Sequence, residues 1–332
     1  MILNNKEILY IGPEFFGYEV EIQKTLKELG ATVDFYDDRP KNDFITKVLI
    51  RINLKRFIKN QINKYYEDIY TNIKQKEYDF IFVVAPETLD YEKLTKIKNI
   101  QTNSFCILYM WDSFKNKNSF NIISLFDKVI TFDNNDAGKY DLEFLALFYI
   151  KEYENIREQK EYKYDICFIA TAHSDRYKIA KSLEKDLKDL NKLMFLFIYL
   201  PSKIMYWVRK LFIGNYKYGN INDFSFISLS QKEIINKVEE SKVVLDINHP
   251  LQYGLTSRSV EAFGANRKLI TTNKNIKDYD FYNENNIFII DREYPKVPVE
   301  FFDNSYEKPS NEMYEYYSLK SWLVNIFKDC KQ

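Results

Sequence analysis

The sequence predicts an α/β protein made of two doubly wound parallel sheets facing each other across a cleft. Three observations predict it. Short β-rich runs such as YDFIFVVAP (78–86) and SFCILYMWD (104–112) are almost wholly apolar, as strands covered on both faces must be. Longer stretches of helical periodicity alternate with them, the pattern of βαβ units. After a charged segment, KEYENIREQKEYK (151–163), the alternation starts again. Residues 1–150 and 151–310 therefore read as two domains of similar size, with 311–332 as closing helices.

The elements follow in order. EILYIGP (7–13) is a strand, 19–30 a helix ended by Gly30, ATVDFYDD (31–38) a second strand, and 44–75 a long helical stretch. The apolar runs 78–86, 104–112 and 127–133 complete the first sheet. In the second half, YDICFIATA (164–172) leads into a helix over 174–190, KLMFLFIYL (192–200) is a strand, and FSFISLS (224–230) is a short one. A helix over 231–241, the strand VVLDIN (243–248), a helix over 258–265, and strands at 268–273 and 286–291 finish the series.

Composition narrows the function. The 332 residues are 45% apolar, enough for two cores, and 48 Lys and Arg balance 48 Asp and Glu, so no global field draws the chain to nucleic acid. Two histidines cannot build a multi-His metal centre. Cys106, Cys167 and Cys330 are far apart, and the first two lie in apolar runs, which predicts buried free thiols. The start of the chain shows no basic segment followed by a long apolar stretch, so the expected compartment is the cytoplasm.

One stretch gathers polar groups: 248–273, NHPLQYGLTSRSVEAFGANRKLITTN. A strand ends near Asn248, a turn carries His249, Gln252 and Gly254, and Thr256 or Ser257 begins the helix that bears Arg258 and Glu261. Free N–H groups at such a helix start, with two hydroxyls beside them, suit a diphosphate. Arg258 adds a positive fork, and Glu261, three residues on, can accept two hydrogen bonds from a vicinal diol such as a ribose. The same spacing also serves as plain helix capping, and the residues alone leave both readings open.

The run GLTSRSVEAFGANRKLIT resembles the nucleotide-sugar motif of GT-B glycosyltransferases of the group 1 type, of the kind that builds bacterial surface polysaccharide and lipopolysaccharide. The resemblance covers the second domain best; the first matches in architecture. It implies two Rossmann-like domains and a nucleotide-diphosphate sugar as substrate, with no separate cofactor and no metal. It also implies that Glu261 holds the donor ribose, while Arg258 and the amides around Thr256 and Ser257 hold the diphosphate. Many relatives carry a second Glu eight positions earlier, where this chain has Tyr253, so His249 or Gln252 is expected at the sugar.

Other candidates sit at strand ends, where doubly wound sheets bind ligands. Thr171, His173 and Ser174 follow the first strand of the second domain and are expected at the donor. Glu14 and Asp112 follow strands of the first domain; an inverting transferase needs a general base for the acceptor hydroxyl, and Asp112 is the first choice, Glu14 the second. The expected acceptor is a glycan or a lipid-linked sugar. Two stretches suggest an anionic membrane surface on the inner face of the cell membrane: 41–64, with Lys41, Lys47, Arg51, Lys55, Arg56, Lys59 and Lys64, and 202–217, with Trp207 among helically spaced apolar residues. Two rivals stand beside this reading, a nucleotide-sugar epimerase of the same architecture and a non-catalytic nucleotide- or sugar-binding protein.

Overall fold

The first six strands, β1 (Glu7–Gly12), β2 (Thr32–Asp37), β3 (Phe80–Val84), β4 (Phe105–Met110), β5 (Lys128–Thr131) and β6 (Glu143–Phe144), pair in the order β2-β1-β3-β4-β5-β6 in the computed structural model. All neighbours are parallel. The structure describes residues 2–51, 54–115, 119–212, 214 and 219–330. The two basic stretches, 41–64 and 202–217, thus fall partly outside the described residues.

Helices α1 (Tyr18–Glu28), α2 (Phe44–Arg51), α3 (Lys59–Ile73), α4 (Tyr91–Ile100), α5 (Phe120–Ile123) and α6 (Asn134–Tyr140) join these strands. The stretch read as one helix over 44–75 is instead α2, a 3₁₀ turn at Lys55–Ile58, and α3. On one face of the sheet, Leu9, Ile11, Ile81, Val83, Cys106 and Leu108 share a core with Ile69 and Ile73 of α3 and Leu94 and Ile97 of α4. The wholly buried Asp38 accepts hydrogen bonds from the amides of Glu87 (2.5 Å), Thr88 (2.7 Å) and Leu89 (2.8 Å) and from the Tyr66 hydroxyl (3.0 Å), fixing the end of β2 to the loop after β3.

The second sheet holds β7 (Tyr164–Thr171), β8 (Met194–Tyr199), β9 (Ser241–Asp246), β10 (Lys268–Thr271) and β11 (Ile287–Ile289), in the order β11-β10-β9-β7-β8 and again parallel. Around it run α7 (Lys151–Glu154), α8 (Arg176–Asp189), α9 (Lys203–Phe212), α10 (Gln231–Glu239), α11 (Ser257–Gly264), α12 (Val299–Asp303) and α13 (Asn311–Tyr316). Ile166, Phe168, Leu183, Ile198, Val243, Leu245 and Ile270 are all buried in its core. The strand expected at 224–230 is not formed: only Ser225 makes a bridge, to Tyr199, before Ser230 caps α10. With β8 at the sheet edge, the segment's pairing with it is one exchange of bonds, Ser225 N–H to Ile198 (2.9 Å) and Leu200 N–H to Ser225 (2.9 Å).

The chain divides into one unit of Met1–Ala146 with Leu319–Gln332, and another of Leu147–Ser318. The division falls after Ala146 rather than at 150, and the closing segment splits: α13 stays with the second unit, while α14 (Leu319–Phe327) returns to the first. There the buried Trp322 meets Tyr109 edge-on at 4.7 Å, and Phe327 lies 5.5 Å from Phe82. Cys106, Cys167 and Cys330 are free thiols.

Candidate functional site

In each sheet the chain starts at an inner strand and winds outward first one way, then the other. The order reverses between β1 and β3 in the first unit and between β7 and β9 in the second. At such a reversal the connections leave on opposite faces and open a crevice at the strands' carboxyl ends.

In the second unit, the loops after β7 and β9 meet there. The rings of His173 and His249 lie 5.8 Å apart. Ser174 has φ 47°, in the left-handed region, and its hydroxyl lies 3.1 Å from His173 Nδ1. Arginines hold the two strand ends together. Arg176 donates from Nε to the Ile247 carbonyl (2.6 Å) and from Nη1 to the Thr171 carbonyl (3.3 Å). Arg292 grips the Asp175 carboxylate (2.9 Å to each oxygen) and the carbonyl of Asn248 (2.7 Å), and Arg209 of α9 donates to the Ala172 carbonyl.

The polar turn is wired internally. His249 Nδ1 accepts from the Leu251 amide (3.2 Å), and Gln252 Nε2 donates to the Gly254 carbonyl (3.2 Å). Asn248 donates to the Gln252 carbonyl (3.1 Å), and Asn273 to those of Tyr253 (3.1 Å) and Gly254 (3.2 Å). His249 and Gln252, expected at a sugar, thus also hold the turn in shape.

At the start of α11, Thr256 is the N-cap residue, but its hydroxyl donates to the buried Asp246 carboxylate (2.8 Å), as does that of Ser259 (2.8 Å). The Thr256 hydroxyl therefore makes no capping bond to the first turn of α11, which presents the positive end of its helix toward the crevice. Arg258 and Glu261 pair at 2.7 Å, with Glu261 nearly buried and the Tyr153 hydroxyl 3.5 Å from Arg258 Nη1. Burial and the Glu261 carboxylate raise the pKa of that hydroxyl. The carboxylate offsets much of the Arg258 charge, as Asp175 offsets that of Arg292, so the positive excess of this unit's crevice comes from Arg176 and Arg209.

That excess has a measurable effect on His173. Burial first, then the charges of Arg176, His249 and Arg209, push its pKa down to about 3 from 6.5. The folded protein therefore keeps this imidazole neutral where the unfolded chain protonates it. Stability from this residue is intact above about pH 6.5 and falls as pH drops toward 3, because the unfolded state then binds the extra proton. Denaturation midpoints of the protein and of His173→Asn are expected to diverge below about pH 6.5, the wild type losing more; parallel curves would remove the assignment.

In the first unit, Glu14 lies at the reversal point, exposed, with Asn42 donating to its Oε2 at 2.6 Å. Partial burial, Asp37 and Glu19 raise its pKa against the pull of Arg39 and Lys47. Asp112 follows β4 and accepts from the Ser113 amide at 3.0 Å. Among the described residues, no cluster of three or more His, Cys, Asp or Glu is arranged to hold a metal ion, and no helix is long and apolar enough to cross a membrane.

Arg209, Arg292 and Asp246 escaped the sequence reading as site residues. Arg292 is 44 residues from Asn248 and 117 from Asp175, so no local spacing betrays it. Arg176 stands two residues after Ser174, but its link between two strands spans 71 residues to Ile247.

No protein-family model matches the chain, and no curated protein matches it. Solved structures do. A glycosyltransferase from Rickettsia africae ESF-5 aligns with a TM-score of 0.52 at 15% identity, over 98% of this chain and 100% of that one. The N-terminal domain of Candida albicans trehalose-6-phosphate phosphatase gives 0.60 at 11%, over 100% and 98%. Anabaena Alr3699/HepE, solved in complex with UDP and glucose, gives 0.52 at 10%, over 98% and 95%. At these identities the likeness is one of fold.

Proposed function

On this GT-B fold of two Rossmann-like domains, we propose that the chain is a glycosyltransferase moving a sugar from a nucleoside diphosphate to a glycan or lipid-linked acceptor at the cytoplasmic face of the membrane. The observation that carries the proposal is the α11 start, where the N-cap residue Thr256 turns its hydroxyl to Asp246 instead of capping the helix. The crevice lined by His173 and His249 supports it, as does a fold shared with a structure that holds UDP and glucose.

In this reading the amides at Ser257 and Arg258 and the nearby arginines take the diphosphate, whose negative charge grows as the sugar–oxygen bond breaks. Fixed donors meet that charge without reorganising. Glu261 accepts from the ribose. If the reaction inverts, the acceptor hydroxyl gives its proton to a carboxylate on the first unit. Asp112 and Glu14 are the two candidates, and the raised proton affinity of Glu14 favours it as the base. Thr171 stands at the end of β7, where its carbonyl is already held by Arg176.

A thermal-shift screen against UDP, GDP, CDP and ADP tests the reading. One of them, at about a hundred times its Kd, is expected to stabilise the protein by roughly 2.7 kcal/mol. No shift with any of the four would overturn it. Release of free nucleotide in the presence of an acceptor separates transfer from epimerisation, which leaves the nucleotide on the sugar. Binding without turnover, together with silent Asp112→Asn and Glu14→Gln substitutions, would point to a non-catalytic binding protein.

A further inference from the structure

Helix α9 turns its apolar side outward. Ile204 (77% exposed), Trp207 (55%), Val208, Leu211 (75%) and Phe212 (81%) recur at steps of three and four, and so share one face. The opposite face is fastened to the second unit. Tyr206 is buried beside Phe224 and donates to the Gly219 carbonyl (2.9 Å), Met205 packs against the core, and Arg209 donates to the Ala172 carbonyl. The helix is therefore held firmly while five large apolar side chains stand in water, a cost that an ordinary surface helix does not bear.

The surrounding sequence says what covers them. No Asp or Glu occurs between Asp189 and Asp223, whereas Lys192, Lys203, Arg209, Lys210 and Lys217 do. A second copy of the chain seated on this face would set these cations against themselves. A surface that is apolar inside and anionic outside satisfies both features.

We propose that α9 lies in the headgroup region of an anionic lipid bilayer, its face of Ile204, Trp207, Val208, Leu211 and Phe212 sunk among the acyl chains and Lys203 and Lys210 of the same helix toward the phosphates. Because Arg209 ties the helix to the residue before His173, a seated α9 holds the loop after β7 near the bilayer. Where the transferase reading stands, that position selects an acceptor carried by lipid.

Co-sedimentation of the full chain with phosphatidylglycerol-containing vesicles tests this, against phosphatidylcholine alone. Binding is expected to the first at low salt and to weaken as salt rises. The double variant Leu211→Glu, Phe212→Glu is expected to bind at least about tenfold more weakly, with its melting temperature unchanged because both side chains are exposed. No binding to anionic vesicles, or binding equal in the variant, would overturn the proposal. So would concentration-dependent self-association that the variant abolishes without any vesicle binding, which would assign the face to a second copy. The assay contains no nucleotide, so its failure and that of the nucleotide screen are read separately.

Discussion

Gly264→Ala is expected to destabilise the second unit by roughly 3 kcal/mol, seen as a lower denaturant midpoint at unchanged slope. In an open helix the same change gains about 1 kcal/mol, because glycine is the poorer helix former. Here sterics win. A Cβ on Gly264 would come within 2.7 Å of Tyr149 Cβ and Cδ2, and nearer still to Cγ. Tyr149 cannot step aside: it is fully buried, its amide bonds to the Tyr317 carbonyl (3.0 Å), its hydroxyl to the Tyr314 carbonyl (2.7 Å), and the Tyr314 hydroxyl returns to the Gly264 carbonyl. The glycine sets how closely α11 approaches Tyr149, and α11 carries Arg258 and Glu261. A neutral or stabilising substitution would mean that this packing is looser than described.

Glu261→Gln is expected to weaken binding of the cognate nucleoside diphosphate by about 1–3 kcal/mol, roughly five- to 150-fold in Kd. Glu261→Ala is a harsher test, because removing one partner of a largely buried pair strands Arg258 and is expected to cost stability too, about 3 kcal/mol. The amide keeps the shape and an acceptor for Arg258, so titration calorimetry on the Gln variant isolates the ligand's share. A double-mutant cycle with Arg258→Gln then decides between the roles. If Glu261 merely neutralises Arg258, the double variant recovers wild-type affinity; if it holds a ribose, the loss persists.

The strands were legible because a buried parallel strand leaves an unbroken apolar run, as in 78–86 and 104–112. FSFISLS (224–230) has the same composition and misleads, since one bridge to Tyr199 is all the edge of β8 accepts. The turn after β9 could be read as a gathering of polar groups, and its helix start was placed to within a residue: α11 begins at Ser257. Its electrostatics could not. Whether Thr256 caps the helix or turns to Asp246 depends on a strand ten residues earlier, and the arginines that bind the strand ends together reach them from α8, α9 and the segment after β11. Local spacing carries caps and strands; it does not carry partners brought together by a crossover.

The return of α14 to the first unit has a consequence for biogenesis. During synthesis residues 1–146 emerge before residues 147–318, yet the side of their sheet bearing Phe82 and Tyr109 waits for Trp322 and Phe327, which emerge after both. Residues 147–318 meanwhile emerge whole, with all the strands of their own sheet. The usual vectorial order, first domain first, is thereby inverted: the later unit can finish while the earlier one still shows an aromatic surface to chaperones. A stop codon before Trp322 would leave that half permanently unfinished, and quality control, rather than lost chemistry, would decide the fate of the product.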